Sequence, residues 1–350
     1  MFNDFYKGKK VLVTGHTGFK GTWMCALLKM AGADVYGYSL EPPTDPNLFE
    51  LTDMAAKIHS EIGDIRDFPH LNGYVQSVKP DVIFHLAAQP IVKTGYTEPR
   101  LTYETNVMGT VNILESVRNC KSVISFVNIT TDKVYDNTDD KYVYSEGDRL
   151  DGYDPYSNSK SCSELVTHSY KRSFFSDGNE CAISTVRAGN VIGGGDFADF
   201  RIIPDCVAAG MANKEIIIRN PNSIRPFQHV LEPLYAYMLI AQSQVEDKKL
   251  SGCYNVGPNI EDCVSAGVIA DLFCKYWGNG LKWKNVSDNG PHESNFLRLD
   301  CSLVKETFGY SPHWNIEEAV KKVIEWSKVW ISGGDVFECM NKQITEFISR

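Results

Sequence analysis

The sequence predicts an α/β protein, with a doubly wound parallel sheet in the first half and a smaller α+β region behind it. Three observations predict this. Short apolar runs alternate with amphipathic stretches from residue 10 to about residue 188, the rhythm of βαβ units. A glycine-spaced loop joins the first apolar run to the first amphipathic one. After Gly193-Gly194-Gly195 the alternation gives way to irregularly spaced strands and helices. In order, Lys10–Thr14 reads as a buried strand and Thr22–Met30 as a helix stopped by Gly32. Asp34–Tyr38 is a second strand, His59–Ile62 a third, and Pro80–Leu86 a fourth, entered from a proline. Leu101–Arg118 has helical periodicity, and Ser122–Ile129 is a β-branched fifth strand. Tyr156–Phe174 is a long helix and Ala182–Val186 a sixth strand. Beyond them lie strands at Ile216–Arg219 and Leu281–Val286, and helices at Leu231–Gln242, Val264–Tyr276 and Ile316–Trp330. The domain expectation is therefore 1–188 and 189–350, with a return of the chain to the first domain allowed near 228–256.

Composition narrows the function. At 43% hydrophobic residues the 350-residue chain supports a large core. A net charge of -9 excludes a broad nucleic-acid surface, yet leaves room for anionic small ligands held by local cations and helix N-termini. The 10 cysteines show no Cys-x-x-Cys and no Cys/His grouping at zinc spacing, so no metal site is expected and the thiols read as reduced. The N-terminus is no signal peptide and no apolar run spans a bilayer, so a cytoplasmic protein without a membrane partner is expected.

In Gly15-His16-Thr17-Gly18-Phe19-Lys20-Gly21 the glycines do separate jobs. One permits the tight turn, one lets a pyrophosphate approach the backbone, and one lets helix pack on strand. The helix N-terminus adds free N–H groups and roughly half a unit of positive charge. This marks a dinucleotide-binding, Rossmann-type domain. The second strand ends in Tyr38-Ser39-Leu40-Glu41-Pro42, with no Arg or Lys beside it to meet a 2′-phosphate. NAD is expected over NADP, with Ser39 on the ribose. The G-x-x-G-x-x-G spacing resembles the extended short-chain dehydrogenase/reductase superfamily, whose members mostly act on nucleotide sugars. That resemblance implies cofactor contacts from Asp64 and Ile65, from Leu86, Ala87 and Gln89 in the strand-four loop, and from Asn106.

Tyr156-Ser157-Asn158-Ser159-Lys160 places a phenol and an ammonium four apart on one helix face. A free phenol titrates near ~10. Bringing it about three pKa units lower takes roughly 4 kcal/mol, within reach of a nearby ammonium and the nicotinamide charge. Tyr156 is then the base that takes a proton from a sugar hydroxyl, and Lys160 also reaches the nicotinamide ribose. Strand five ends in Thr130-Thr131-Asp132-Lys133. By the superfamily resemblance Thr131 hydrogen-bonds the reacting hydroxyl. An epimerase or simple reductase has no use for an Asp and a second ionisable group after it. A 4,6-dehydratase does, to take the C5 proton and to protonate the departing C6 hydroxyl.

The strings Thr131-Asp132-Lys133-Val134-Tyr135-Asp136-Asn137, Ser39-Leu40-Glu41-Pro42-Pro43 and Ile224-Arg225-Pro226-Phe227-Gln228-His229-Val230 resemble the CDP-glucose branch of the sugar-nucleotide 4,6-dehydratases, over nearly the whole chain. The resemblance implies NAD, a nucleotide-sugar substrate, a keto-deoxy sugar product and a homodimer or tetramer, with the helices of Tyr156 and Asn106 at the dimer interface. Where the commoner form has Glu, this chain has Lys133, so Asp132 is assigned as acid to the C6 hydroxyl and Lys133 as acid/base near C5. Arg219 and Arg225 are expected on the nucleoside diphosphate, with Arg298 a further candidate; the resemblance implies sugar and phosphate contacts from Arg187 and Asn190, and His229 is expected within reach of the sugar or pyrophosphate. Glu317-Glu318 and Asp139-Asp140 read as solvated. The alternatives are a dehydratase for another nucleotide hexose or heptose, a 4-epimerase or 4-reductase, and a non-catalytic NAD sensor.

Overall fold

The computed structural model describes residues 2–137, 142–176, 181–286 and 296–350; Asp139 and Asp140 lie outside them. Seven parallel strands form the central sheet: β1 (Lys10–Thr14), β2 (Asp34–Ser39), β3 (His59–Ile62), β4 (Val82–His85), β5 (Ser125–Ile129), β6 (Ala182–Ala188) and β7 (Cys253–Val256). Their order is β7-β6-β5-β4-β1-β2-β3, and every neighbouring pair is parallel. The doubly wound sheet read from the sequence is therefore what the chain forms. The order reverses between β1 and β4, so a crevice opens beyond their carboxyl ends. β4 and β5 are buried along their whole length, which fits strands covered on both faces.

Helices α1 (Phe19–Met30), α2 (Phe68–Val78), α3 (Gly109–Arg118) and α4 (Pro155–Phe174) flank the sheet. The segment read as one helix from Leu101 is instead Pro99–Tyr103, a π-helical Glu104–Met108 and α3, and Asn106 sits in the widened turn. Such wide turns cost regular hydrogen bonding and recur where a side chain is aimed at a site. α5 (Ile202–Met211), α6 (Leu231–Glu246), α7 (Ala266–Trp277), α8 (Ile316–Ile331) and α9 (Val336–Ile348) follow. A second core of Ile203, Ile216, Phe273, Val320 and Ile324 lies away from the sheet. α6 and α9 instead pack into the main core, through Leu234, Tyr237, Ile344 and Phe347.

Three differences from the sequence expectation stand out. α5 and α9 were not anticipated, and the residue 264 helix begins two residues late because Val264–Ser265 pairs with Ile224–Arg225. A pairing partner distant in sequence decides the last point, whereas α9 buries Val336, Cys339, Met340, Gln343, Ile344 and Phe347 at regular helical spacing, a period the sequence does carry. No helix among the described residues is long and apolar enough to cross a membrane.

Candidate functional site

A cavity of about 1070 Å³ runs from the β1–α1 loop across the ends of β4 and β5 to the loops of the second half. At its first end Gly15 holds a positive φ of 77°, and a Cβ there would meet the Ala87 backbone nitrogen at 2.8 Å. A Cβ on Gly21 would meet the Gly15 carbonyl at 2.1 Å, which glycine alone permits. Gly18 caps α1 without any side-chain hydrogen bond. The first-turn N–H groups of Phe19 and Lys20 are thus left for a ligand. Thr17 Oγ1 bonds Ser39 Oγ at 2.9 Å and donates to the Leu40 carbonyl at 2.8 Å, tying this loop to the end of β2. Asp64, Ile65, Leu86, Ala87 and Gln89 line the same cavity. Arg66, which the sequence reading passed over, lines it too, and its guanidinium is gripped by the Asp64 carboxylate.

Asn106 does not line the cavity. It is buried behind the strand-four loop, accepting from the Gln89 N–H at 2.8 Å and donating to the Gln89 carbonyl at 3.1 Å and to Ser159 Oγ at 2.9 Å. The cofactor contact expected of it is corrected to a bracket between that loop and α4.

Thr131, Asp132, Lys133, Tyr156 and Lys160 all line the middle of the cavity. Asp132 is fully buried. Its Oδ1 accepts from Thr131 Oγ1 at 3.0 Å and from Lys133 Nζ at 3.0 Å, whereas Oδ2 is buried with no hydrogen-bond partner. Lys133 Nζ also donates to Asn190 Oδ1 at 3.3 Å. Lys160 Nζ donates to the Ile129 carbonyl at 3.1 Å, and burial lowers its pKa to about 8. Burial raises the Tyr156 phenol above its ordinary value; Lys133 and a hydrogen bond with Thr131 oppose it. Lys133 is the cation that most opposes the effect of burial on the phenol, while the Lys160 ammonium is turned to a strand-five carbonyl.

Arg219, Arg225 and Asn190 reach the far end. Arg219 lies over one side of the Phe200 ring at 5.6 Å, and Lys93 Nζ stands 4.0 Å from the same ring. Phe200, Lys93 and Arg201 carry no motif; Lys93 comes from the short helix Val92–Thr97, and the loop that delivers Phe200 and Arg201 is folded by Arg201 pairing with Asp196 at 3.1 Å.

Three expected substrate residues are not on the cavity wall. Arg187 is buried, giving Nε and Nη2 to the two oxygens of Glu164, each at 3.1 Å. Burial alone raises the Glu164 pKa, but Arg187, Thr130 and Thr185 outweigh it and hold the carboxyl below its usual value. Arg187 is thus a core ion pair, its charge spent inside the sheet. His229 is also fully buried, edge-on to Trp23 and Trp314, and burial lowers its pKa to about 3. It is a neutral core imidazole. Arg298 lies over the Phe296 ring at 4.9 Å, away from the lining. For Arg187 and His229 the neighbouring motif looked like a binding string while the fold turned the side chain inward.

With this geometry in view, the comparisons place the chain. Residues 12–323 match the model of the GDP-mannose 4,6 dehydratase family. The chain belongs to that family. Its relatives include CDP-glucose 4,6-dehydratase of Salmonella typhimurium, 45% identical over 99% of this chain and 98% of the relative. They also include dTDP-glucose 4,6-dehydratase 1 of Escherichia coli, 24% identical over 91% of this chain and 92% of that one. Among solved structures, UDP-glucose 4-epimerase of Thermotoga maritima overlays this family member with a TM-score of 0.79 at 20% identity, covering 92% of this chain and 99% of that one. MoeE5 in complex with UDP-glucose and NAD overlays with 0.77 at 22%, covering 92% and 99%. At those identities the overlays speak for the Rossmann-type fold. The tight sequence match to a 4,6-dehydratase speaks for the family's reaction type.

Proposed function

We propose that this chain is an NAD-dependent CDP-glucose 4,6-dehydratase that releases CDP-4-keto-6-deoxyglucose, and that it works in the cytoplasm as a homodimer or tetramer. The observation that carries the reading is the Asp132–Lys133 pair beside Thr131 and Tyr156 in one cavity, in a chain 45% identical end to end to a CDP-glucose 4,6-dehydratase. The glycine end suits NAD. Gly15, Gly18 and Gly21 leave the backbone approachable, the α1 N-terminus is uncapped, Ser39 stands at the end of β2, and Arg66 is already occupied by Asp64. Bound there, NAD supplies the hydride acceptor for C4 and the donor for C6.

The chain's own groups then divide the proton work. Tyr156 takes the C4 hydroxyl proton as the phenolate, with Thr131 hydrogen-bonded to the same oxygen. Lys133 takes the proton from C5, which the 4-ketone acidifies. The C5–H electron pair becomes the C5=C6 bond, the C6–O pair leaves with oxygen, and Asp132 protonates that oxygen to water. The competent pair, neutral Lys133 with protonated Asp132, carries the same number of protons as the ion pair seen at 3.0 Å, one proton moved across a single hydrogen bond. Water loss returns the pair to the ionic form, the Lys133 ammonium then reprotonates C5, and the proton that Tyr156 took from the C4 hydroxyl passes back to the pair, so that phenolate and pair are both restored. Arg219 and Arg225 hold the diphosphate, and Asn190 aims Lys133.

The test is a panel of CDP-, UDP-, GDP- and dTDP-hexoses. CDP-glucose should give the alkali-dependent ultraviolet absorbance of a 4-keto-6-deoxy sugar with no net consumption of NAD. Turnover confined to the other nucleotides would overturn the CDP assignment, and epimerised product with no dehydration would overturn the reaction.

A further inference from the structure

Phe200 sits on the cavity in a way that a bulky residue rarely does. Its backbone holds a positive φ of 64°, where a side chain is strained, and its ring is 50% exposed, so burial does not fix it there. Two cations from opposite halves of the chain meet the ring. Lys93 Nζ, on the helix Val92–Thr97 that follows the strand-four loop, stands 4.0 Å from its centroid. The Arg219 guanidinium, one residue past the strand Ile216–Ile218, stands 5.6 Å from it. All three residues line the cavity. Asp199 and Asp205 line the same end, so an anion is held there only where cations converge on it from both halves.

We propose that the Phe200 ring is a specificity gate: it competes with the substrate's diphosphate for Lys93 and Arg219, and Lys93 is a ligand of that diphosphate alongside Arg219. A cation over a half-exposed ring is held weakly, by the ring's quadrupole. A phosphate oxygen offers a full charge and a charge-assisted hydrogen bond, so a diphosphate entering the cavity draws both cations off the ring. The strained Phe200 backbone is then free to swing. The loop before it stays anchored, because Arg201 and the Ala198 N–H both hold the Asp196 carboxylate. A nucleoside or a free sugar brings no such charge and leaves the ring in place. The gate thus selects for the anionic group that nucleotide sugars share and against their uncharged parts.

This inference rests on the nucleotide-sugar reading, and binding measurements separate the two. Calorimetric titrations of the NAD-loaded enzyme use whichever of CDP, UDP, GDP and dTDP the wild type binds tightest. Phe200→Leu keeps apolar bulk and removes the π face, and should tighten that diphosphate by about 2–10-fold. Phe200→Trp, with a stronger π face, should loosen it by about the same factor. Lys93→Met should raise its Kd about tenfold, and should raise the KM of the matching nucleotide glucose more than it lowers kcat. In the Lys93→Met background Phe200→Leu should gain less, because one of the two contested cations is gone. The emission of Phe200→Trp, taken against wild type, should shift on adding the diphosphate and stay still on adding the nucleoside. Looser binding in Phe200→Leu would make the ring a ligand contact and overturn the proposal. An unchanged Kd in Lys93→Met, emission that answers the nucleoside as it answers the diphosphate, or no binding of any of the four would overturn it too. Tight diphosphate binding without turnover of any nucleotide sugar would instead overturn the dehydratase reading and leave the gate standing.

Discussion

Asp132 and Glu164 are both fully buried carboxylates beside the end of β5, and α4 serves both: its first turns carry Tyr156 and Lys160 toward the cavity, its next carries Glu164 toward the sheet. They are partnered in opposite ways. Glu164 Oε1 accepts from Thr130 at 2.5 Å and from Arg187, and Oε2 accepts from Thr185 at 2.6 Å and from Arg187. Each of its oxygens is satisfied, and the charge is fixed. Asp132 has one oxygen bonded and one bare. A saturated carboxylate holds a structure together; one left with an open oxygen can exchange a proton. The grouping of Glu164 with His168 and Cys253 follows the same logic. The Glu164 lone pairs are taken, and His168 Nε2 meets Cys253 Sγ at 2.7 Å as a hydrogen-bonded pair.

The largest expected effect lies on the cavity side of α4. Tyr156→Phe should lower kcat by about 10³–10⁴-fold with Tm unchanged within a degree or two, since the ring packing stays and only the proton acceptor is lost. Steady-state kinetics with a thermal melt checks both halves. Activity within tenfold of wild type would place the base elsewhere.

Next comes an exchange that separates the two carboxylates directly. Arg187→Met leaves Glu164 charged and buried with hydroxyl donors only, and should destabilise the fold by about 3–5 kcal/mol. Activity per folded molecule should hold, because Arg187 does not reach the cavity. Asp132→Asn should do the reverse: about 10²–10³-fold off kcat with stability held or raised, as the bare buried oxygen no longer carries charge. Denaturant melts beside turnover numbers test the pair. A substrate KM shift as the main effect of Arg187→Met would return it to the binding site.

That contrast also marks how far the sequence could be read. The glycine loop, Thr131–Lys133 and the Tyr156/Lys160 pair each lie within a few residues of a strand end or on one helix face, so spacing alone brings them to the cavity. Arg187 and His229 sit in strings that look equally functional, but their direction depends on partners far along the chain: Glu164 for one, Trp23 and Trp314 for the other. Strand alternation was the available clue. Arg187 falls in β6, a strand buried at every position, where a charge demands a buried partner. Phe200 and Arg201 were illegible for the opposite reason, since an irregular loop carries no period to read, and Lys93 sits in a helix of six residues, Val92–Thr97, too short to show one.

The smallest expected effect is the finest cut, because Thr130 and Thr131 are adjacent and serve different carboxylates. Thr130 donates to Glu164; Thr131 donates to Asp132 and is hydrogen-bonded to Tyr156. Replacing each with Val keeps the shape and removes one hydroxyl. Thr130→Val should cost about 1–2 kcal/mol of stability, one donor among several to a charged group, with kcat nearly unchanged. Thr131→Val should cost less stability, since its hydroxyl is one of two donors to an oxygen that Lys133 still holds, and should slow turnover about tenfold or more as Tyr156 and the reacting hydroxyl lose their hydrogen-bond partner. Equal losses of stability and rate in both variants would mean that the two carboxylates belong to one coupled network, and the division between a structural and a reactive acid would fall.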